Sequence, residues 1–181
     1  MSVRRLTSST TSTDGAPVVL VARTDLGGLP REWSDAAPTA YRQGMTNRAA
    51  STADLRDIAL SLPGVTEGMS WGDMPSYQVL GKAFALFRPP RPDALDEQTG
   101  ERLEDVILFR VPDRADKEAL VQSAGPWFTT AHFDGYNAVL VRAAHLGELT
   151  REELTEVVVD AWLTRAPARL AREWLAEHRP G

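Results

Sequence analysis

The chain has 181 residues, none of them cysteine, with 43% hydrophobic and 25% charged residues and a net charge of −5. These fractions are typical of a globular protein with its own hydrophobic core. The absence of cysteine excludes disulfides, thiolate metal sites and cysteine nucleophiles. No apolar run approaches the roughly 20 residues of a membrane span, so we expect a cytoplasmic protein that does not enter the membrane.

The charges are distributed unevenly along the chain. Residues 1–47 hold five arginines and four acidic residues, which leaves 15 lysines and arginines against 21 aspartates and glutamates in residues 48–181. Proteins that bind nucleic acids tightly usually carry a basic surface, because counterion release drives their binding. With this acidic excess, we expect any DNA binding to be weak and to depend on cations that the fold brings together.

Residues 1–50 differ in composition from the rest of the chain. Residues 8–13 are all serine or threonine, and glycines and prolines interrupt the stretch that follows. No amphipathic period persists there, so little apolar surface is available to offset the entropy of ordering the chain. We predict a poorly ordered tail over residues 1–50, with Met45 as an alternative start, and a folded domain over residues 51–181. The alternative is a docking arm in which residues 18–21 add an edge strand.

The first elements after the tail are a helix and three strands. Ser51 followed by Asp54 is a helix-capping pattern, and apolar residues at positions 55, 58, 59 and 62 form one stripe of a short helix. Turn dipeptides at Gly72-Asp73 and Gly81-Lys82 then separate short apolar segments. The pattern predicts a β-meander, with strands at residues 66–71, 76–80 and 83–88.

The middle of the chain predicts a polar loop, a strand, a helix and a hairpin. The loop covers residues 89–102, and residues 104–111 alternate in the manner of a strand. Asp113 can cap a helix that runs to residue 123. The turn dipeptide Asp134-Gly135 predicts a hairpin between residues 127–131 and 136–142.

Two helices close the chain and complete the predicted fold. Thr150 and Glu153 form a capping box for a helix that carries Trp162 on its apolar stripe. Pro167 is a suitable first residue for the last helix. The order of elements predicts an α+β two-layer sandwich, an antiparallel β-sheet with helices packed on one face. We expect the other face to be open for function.

Two patterns resemble catalytic or metal sites. Residues 68–72 match the G-x-S-x-G serine-hydrolase motif around Ser70, but that chemistry needs a strand-to-helix turn, and a second strand follows here. His132 and Asp134 could act as an acid–base pair, whereas a metal site needs three or four ligands, which this spacing does not provide. We therefore predict no catalytic residue, no metal site and no cofactor.

Aromatic and basic residues supply the remaining candidates. Aromatic side chains on a sheet can line a pocket or stack on bases, although they more often form core. Arginine and lysine side chains can contact phosphates, although on an exposed helix they are usually only solvated. The basic candidates are Lys82, Arg88, Arg91, Arg165, Arg169 and Arg172.

A set of short motifs, in a fixed order, resembles the MmcQ/YjbR family over about residues 52–168. The motifs are Leu60-Ser61-Leu62-Pro63-Gly64-Val65-Thr66-Glu67, Trp71-Gly72, Pro75-Ser76-Tyr77, Gly81-Lys82-Ala83-Phe84-Ala85, His132-Phe133-Asp134-Gly135-Tyr136, Glu152-Glu153-Leu154 and Asp160-Ala161-Trp162. The resemblance implies a sandwich similar to the frataxin-like CyaY fold and DNA binding through two wing-like β-turns. It implies no catalytic residue.

Two hypotheses follow for the function. In the first, the protein binds DNA weakly and without sequence specificity, through wing turns near Lys82 and Arg88. In the second, it is a non-catalytic module that binds a small ligand or a protein in a pocket formed by Trp71, Tyr77, Lys82 and His132. Cations that converge on one surface would favour DNA, and a concave aromatic pocket would favour a ligand.

Overall fold

The structure is a computed structural model that describes residues 48–178. Five antiparallel strands form one sheet in the order β1-β2-β3-β4-β5. The strands are β1 (Val65–Ser70), β2 (Met74–Val79), β3 (Lys82–Arg88), β4 (Val106–Arg110) and β5 (Ala138–Arg142). The helices are α1 (Thr52–Ser61), α2 (Arg114–Gln122), α3 (Arg151–Leu163) and α4 (Ala168–Glu177). This architecture confirms the predicted α+β sandwich.

The helices begin where the capping residues predict. Ser51 caps α1 in a capping box with Asp54, and Thr150 caps α3 in a capping box with Glu153. Asp113 accepts a hydrogen bond from a backbone N–H in the first turn of α2. Each cap satisfies amide groups that have no partner within the helix, so these three boundaries depend on local sequence alone.

The main core lies between the sheet and the helices. Helix α3 packs on β3 and β4, α1 packs on α3 and β1, and α2 packs on β5. Trp162 is fully buried at the centre of this core, and its indole Nε1 donates a hydrogen bond of 3.2 Å to the carbonyl of Pro63. Within residues 48–178 no helix is both long and apolar enough to cross a membrane.

A smaller second core covers part of the opposite sheet face, which we had expected to be open. Leu86, Leu108 and Leu140 lie on this outer face, beneath the loop between β3 and β4 and beneath Phe133. Leu103 donates a backbone hydrogen bond to the carbonyl of Ala94, which closes that loop over the sheet. The sequence pattern of the loop is polar, so its apolar contacts were not apparent from periodicity.

The predicted hairpin between residues 127–131 and 136–142 is only half correct. Residues 138–142 form β5, but Phe128 makes only an isolated bridge with Leu140. Where the first predicted strand of this hairpin should end, the chain forms a 3₁₀ turn, Ala131–Phe133. This turn contains Phe133, whose side chain is buried in the second core.

The start of the described region packs against the start of α3. The backbone N–H of Ala50 donates to the carbonyl of Leu149 at 2.8 Å, and that of Arg151 donates to the carbonyl of Arg48 at 2.9 Å. Residues 48–50, which we assigned to the tail from composition, therefore pair with a segment about 100 residues away in the chain. The rest of the predicted tail, residues 1–47, lies outside the described residues.

Candidate functional site

A cavity of about 220 Å³ lies on the outer face of the sheet, where the second core ends. Side chains from β2, β3, β4, the β1–β2 turn, the β3–β4 loop and the 3₁₀ turn form its wall. They are Trp71, Met74, Leu86, Arg88, Arg91, Asp93, Leu108, His132 and Phe133. An apolar cavity with a few convergent polar groups is the usual form of a small-molecule site. We call this cavity the outer pocket.

Arg88 is the most buried charged residue of the outer pocket, with 7% of its surface exposed. Its Nη2 forms an ion pair with Oδ1 of Asp93, and its Cζ lies 5.2 Å from the centre of the Phe133 ring. Its Nη1 is buried and has no hydrogen-bond partner within residues 48–178. Because a buried charged donor without an acceptor is costly, this nitrogen is the group best prepared to bind an anion.

Asp93 holds Arg88 in place and is itself held by a second contact. The hydroxyl of Thr130 donates to Oδ2 of Asp93 at 2.6 Å. Burial tends to raise the pKa of Asp93, but the hydrogen bonds from Thr130 and Arg88 outweigh it and lower that pKa below its ordinary value. Asp93 is therefore a carboxylate at neutral pH, with one oxygen on Arg88 and the other on Thr130.

Trp71 lies at the mouth of the outer pocket in an unusual backbone conformation. Its φ is 50° and that of Gly72 is 89°, so both residues are in the left-handed region. A bulky side chain seldom adopts that region unless its surroundings require it. The indole is 51% exposed and lies 5.0 Å from the guanidinium carbon of Arg110. The turn thus presents an aromatic face at the pocket instead of the usual small polar residue.

His132 lies on the 3₁₀ turn at the edge of the outer pocket. It is exposed, and its ring stacks on Tyr136 at a centroid distance of 6.1 Å and an interplanar angle of 23°. Asp134 caps the end of the same turn, so neither side chain of this pair lies on a strand. No group of three or more potential metal ligands occurs among residues 48–178.

Only two of the six basic candidates line the outer pocket. Arg88 and Arg91 both line the outer pocket, Arg88 buried and Arg91 exposed. Lys82 lies at the opposite end of β3, exposed at the β2–β3 turn. Arg169 pairs with Glu173 on the surface of α4 at 2.8 Å, and Arg172 is exposed on the same helix. Arg165 is partly buried just after the end of α3, so four of the six cations lie outside the outer pocket.

Two members of the predicted ligand pocket lie elsewhere. Tyr77 is 5% exposed in the core beneath the helices, where it packs edge-on against Phe87. Alternate residues of a strand point to opposite faces, and Tyr77 points away from the outer pocket. Lys82 is at the far end of β3. The structure therefore does not place Tyr77 and Lys82 with Trp71 and His132, which both line the outer pocket.

Sequence reasoning missed several residues that shape the site. Asp93 lies in a loop whose composition predicted only a polar connection, and its partner Thr130 is 37 residues away. Lys117 is 6% exposed in α2 and donates from Nζ to the carbonyl of Phe133 at 2.6 Å, which fixes the 3₁₀ turn. A lysine on a helix gives no signal of burial, because it usually reaches solvent.

The serine motif at residues 68–72 is part of a hairpin. Strand β1 ends at Ser70, and β2 begins at Met74 after a three-residue turn. No helix follows Ser70, so the oxyanion donors of a hydrolase elbow are missing at this position. The motif reflects the turn between two strands.

Comparison with known proteins identifies the family. Residues 60–164 match the YjbR family model, and the chain belongs to the YjbR family, which is the MmcQ/YjbR family of the sequence motifs. It is 45% identical over 105 residues to "Uncharacterized protein Rv2570" of Mycobacterium tuberculosis, a match that covers 55% of this chain and 79% of that protein. The same values hold for "Uncharacterized protein Mb2600" of Mycobacterium bovis. No solved structure matches the chain.

Proposed function

We propose that this YjbR-family protein is a non-catalytic binding protein whose outer pocket takes a small organic anion. We further propose that it acts in the cytoplasm and needs no cofactor. The observation that carries the proposal is Arg88, which lines the cavity and whose buried Nη1 has no acceptor in the described part of the chain. An anionic group placed there would receive a charge-assisted hydrogen bond, which is stronger than a neutral one.

The charges around the cavity favour one negative group on the ligand. Asp93 already balances Arg88, and its second oxygen is taken by Thr130. Arg91 adds a further cation at the rim and forms no ion pair within residues 48–178. The two arginines and one aspartate leave a local charge of about +1. A carboxylate or another singly charged group matches this balance.

The other residues that line the outer pocket favour a ligand that also has a flat, apolar group. Leu86 and Leu108 are fully buried side chains of the second core, and Met74 and Phe133 continue this apolar surface. Trp71 offers an exposed aromatic ring at the mouth, on which a planar group can stack. We therefore expect a small ring that carries one acidic group.

Arg88→Gln should weaken ligand binding about 10-fold to 100-fold, the loss expected for one hydrogen bond to a charged group. We would use a panel of small ring carboxylates, each with its neutral primary amide, and measure binding by thermal shift and by ligand-observed NMR. Wild type should bind members of the acid set and not their amides. Arg91→Gln should have a smaller effect, because Arg91 is exposed.

Arg114→Gln is the matched control for that experiment. Arg114 is an exposed arginine of α2 that pairs with Glu118 at 2.7 Å and does not line the outer pocket. It should bind the acids as wild type does. The proposal fails if no acid of the panel binds to wild type, or if binding survives Arg88→Gln unchanged in a variant that remains folded.

Weak, non-specific DNA binding is the second candidate, and one observation favours it. Lys82 is exposed at the start of β3 and Arg91 is exposed beyond its end, and neither forms an ion pair among the described residues. A seven-residue strand spans roughly 20 Å, so the two cations can reach different phosphates of one duplex. Arg172 on α4 is a further exposed cation.

For DNA we expect a shallow dependence on salt. Two or three phosphate contacts imply a log–log slope of roughly −2 to −3 and a dissociation constant of about 10⁻⁴ to 10⁻⁶ M at physiological salt. The double variant Lys82→Glu, Arg91→Glu should flatten this slope by about two units and weaken all sequences alike. Fluorescence anisotropy with a labelled duplex over a salt series measures both quantities. No binding at about 50 mM salt would remove this candidate and leave the outer-pocket proposal untouched.

A further inference from the structure

Arg110 lies on the outer face of the sheet, next to the outer pocket. It is the last residue of β4 and pairs in register with Ala138 of β5. Side chains two residues apart on a strand point to the same face, so Arg110 follows Leu108 there at roughly 7 Å along the strand. Leu108 lines the outer pocket, whereas Arg110 does not. Arg110 is therefore a close neighbour of the pocket that is not part of its wall.

The guanidinium group of Arg110 lies over the ring of Trp71. Its Cζ is 5.0 Å from the ring centre, a cation–π distance. Its Nε is buried and has no hydrogen-bond partner in the part of the chain that the structure describes. Arginine stays protonated in proteins, and a cation–π contact is stronger when the cation is shielded from water. The contact therefore holds a permanent positive charge against one face of the indole.

Trp71 needs this contact because its turn does not fix a large side chain. Glycine, asparagine and aspartate are the usual residues at positive φ, yet Trp71 has a φ of 50°. The residue is also 51% exposed, and exposed side chains change rotamer on a timescale of picoseconds to nanoseconds. Since Trp71 lines the outer pocket, the contact with Arg110 fixes the orientation in which the indole meets a ligand.

We propose that Arg110 makes the outer pocket specific for aromatic carboxylates, because it holds the Trp71 ring ready to stack on them. This role rests on the anion-binding function proposed above for the outer pocket. A side chain that is already oriented loses little rotamer freedom when the ligand binds. Stacking requires a flat partner ring, so a saturated ring of the same size gains little from it. Arg110 is thus a positioning residue that acts through Trp71.

Benzoate and cyclohexanecarboxylate separate the effect of stacking from that of charge. Both are monovalent acids with a six-membered ring, and only benzoate is flat and aromatic. The ratio of their dissociation constants, measured on the full chain by ligand-observed NMR, is the readout. Arg110→Met removes the cation and keeps an unbranched apolar side chain. It should weaken benzoate binding about threefold to tenfold more than cyclohexanecarboxylate binding, the effect of one side chain that must be ordered on binding.

Three other variants show whether Arg110 acts through the indole. Arg110→Lys keeps a cation that can lie over the ring, and it should keep the preference for benzoate. Trp71→Leu should abolish that preference, and Arg110→Met added to Trp71→Leu should not change the ratio further, because the effects of coupled residues do not add. Arg114→Met, on α2 and outside the pocket lining, is the matched control and should bind both acids as wild type does.

The motion of the indole provides a test that needs no ligand. The Nε1–H signal of Trp71 in a proton–nitrogen correlation spectrum is assigned by its loss in Trp71→Leu. Its heteronuclear Overhauser effect reports picosecond-to-nanosecond motion, and it should fall in Arg110→Met and stay at the wild-type value in Arg114→Met. An unchanged value in Arg110→Met would show that Arg110 does not hold the ring, which overturns its proposed role.

The binding results distinguish the role of Arg110 from the function of the pocket. An equal loss for both acids in Arg110→Met would mean that Arg110 contributes only its charge. That result, like an unchanged ratio, would overturn its role in specificity while the binding of acids at Arg88 stands. If neither acid binds to wild type, the anion-binding function of the pocket and the role of Arg110 are both wrong.

Discussion

Trp162→Ala is expected to destabilise the folded domain by about 3–5 kcal/mol, the usual cost of removing a large aromatic side chain from a core. Trp162 is fully buried, packs edge-on against Trp174 at 5.6 Å, and donates its indole N–H to the carbonyl of Pro63. Truncation leaves a cavity and also an unsatisfied carbonyl. The midpoint of thermal unfolding should fall by roughly 10 °C or more, which circular dichroism measures directly.

Trp71→Ala is the control for this result. Trp71 is half exposed at a turn, so its removal exposes little new apolar surface and should cost less than about 1 kcal/mol. A melting temperature of Trp162→Ala within a degree or two of wild type would show that α3 does not pack through this residue.

Asp54→Asn is expected to destabilise the folded domain by about 1.5–3 kcal/mol, the usual contribution of hydrogen bonds to a charged group, because Asp54 is buried while its partners Arg48 and Arg151 stay partly exposed. Asp54 is 3% exposed, and its carboxylate receives hydrogen bonds from Arg48 at 2.8 Å, from Arg151 at 3.1 Å and from the hydroxyl of Ser51 at 2.6 Å. It joins the first described residues, α1 and α3 in one cluster. Chemical denaturation of the variant against wild type measures the loss, and Asp57→Asn, on the exposed side of α1, should show almost none.

The contribution of Asp54 should also depend on pH. Hydrogen bonds from Arg48 lower the pKa of Asp54 well below its ordinary value, and those from Ser51 and Arg151 add to this effect against the opposing influence of burial. Because the folded pKa lies below the unfolded one, the stabilisation is complete above about pH 4 and is lost as the pH falls below that value. The gap in stability between wild type and Asp54→Asn should narrow on acidification, and a constant gap would contradict this account.

The sequence alone correctly predicted the structural features that depend on residues close to one another in the chain. The capping residues Ser51, Asp113 and Thr150 begin helices at the predicted positions, because a cap and the amides it satisfies lie within one turn. The meander of β1, β2 and β3 was also predicted, with strand ends shifted by one or two residues. Apolar periodicity over short windows placed Trp162 in the core.

The predictions from sequence failed where the position of a side chain depends on a segment that is distant in the chain. Residues 127–131 were predicted as a strand, yet Phe128 forms only an isolated bridge, and Ala131 begins the 3₁₀ turn that contains the buried Phe133. Tyr77 and Trp71 are both aromatic residues of the β1–β2 region, and only the register of β2 determines that Tyr77 faces the helices. Local propensity carries no information on either point.

The chain by itself therefore determined the class of fold, the helix starts and the family, since these follow from local patterns and from similarity along the sequence. The tertiary structure decided which cations are functional candidates. The sequence does not distinguish four of the basic candidates from one another, namely Arg88, Arg91, Lys82 and Arg169. Folding buries Arg88 against Asp93 beside a cavity, exposes Lys82 and pairs Arg169 with Glu173. What a charged side chain contributes to binding depends on its burial and on its partners, and both are set by the packing of the folded chain.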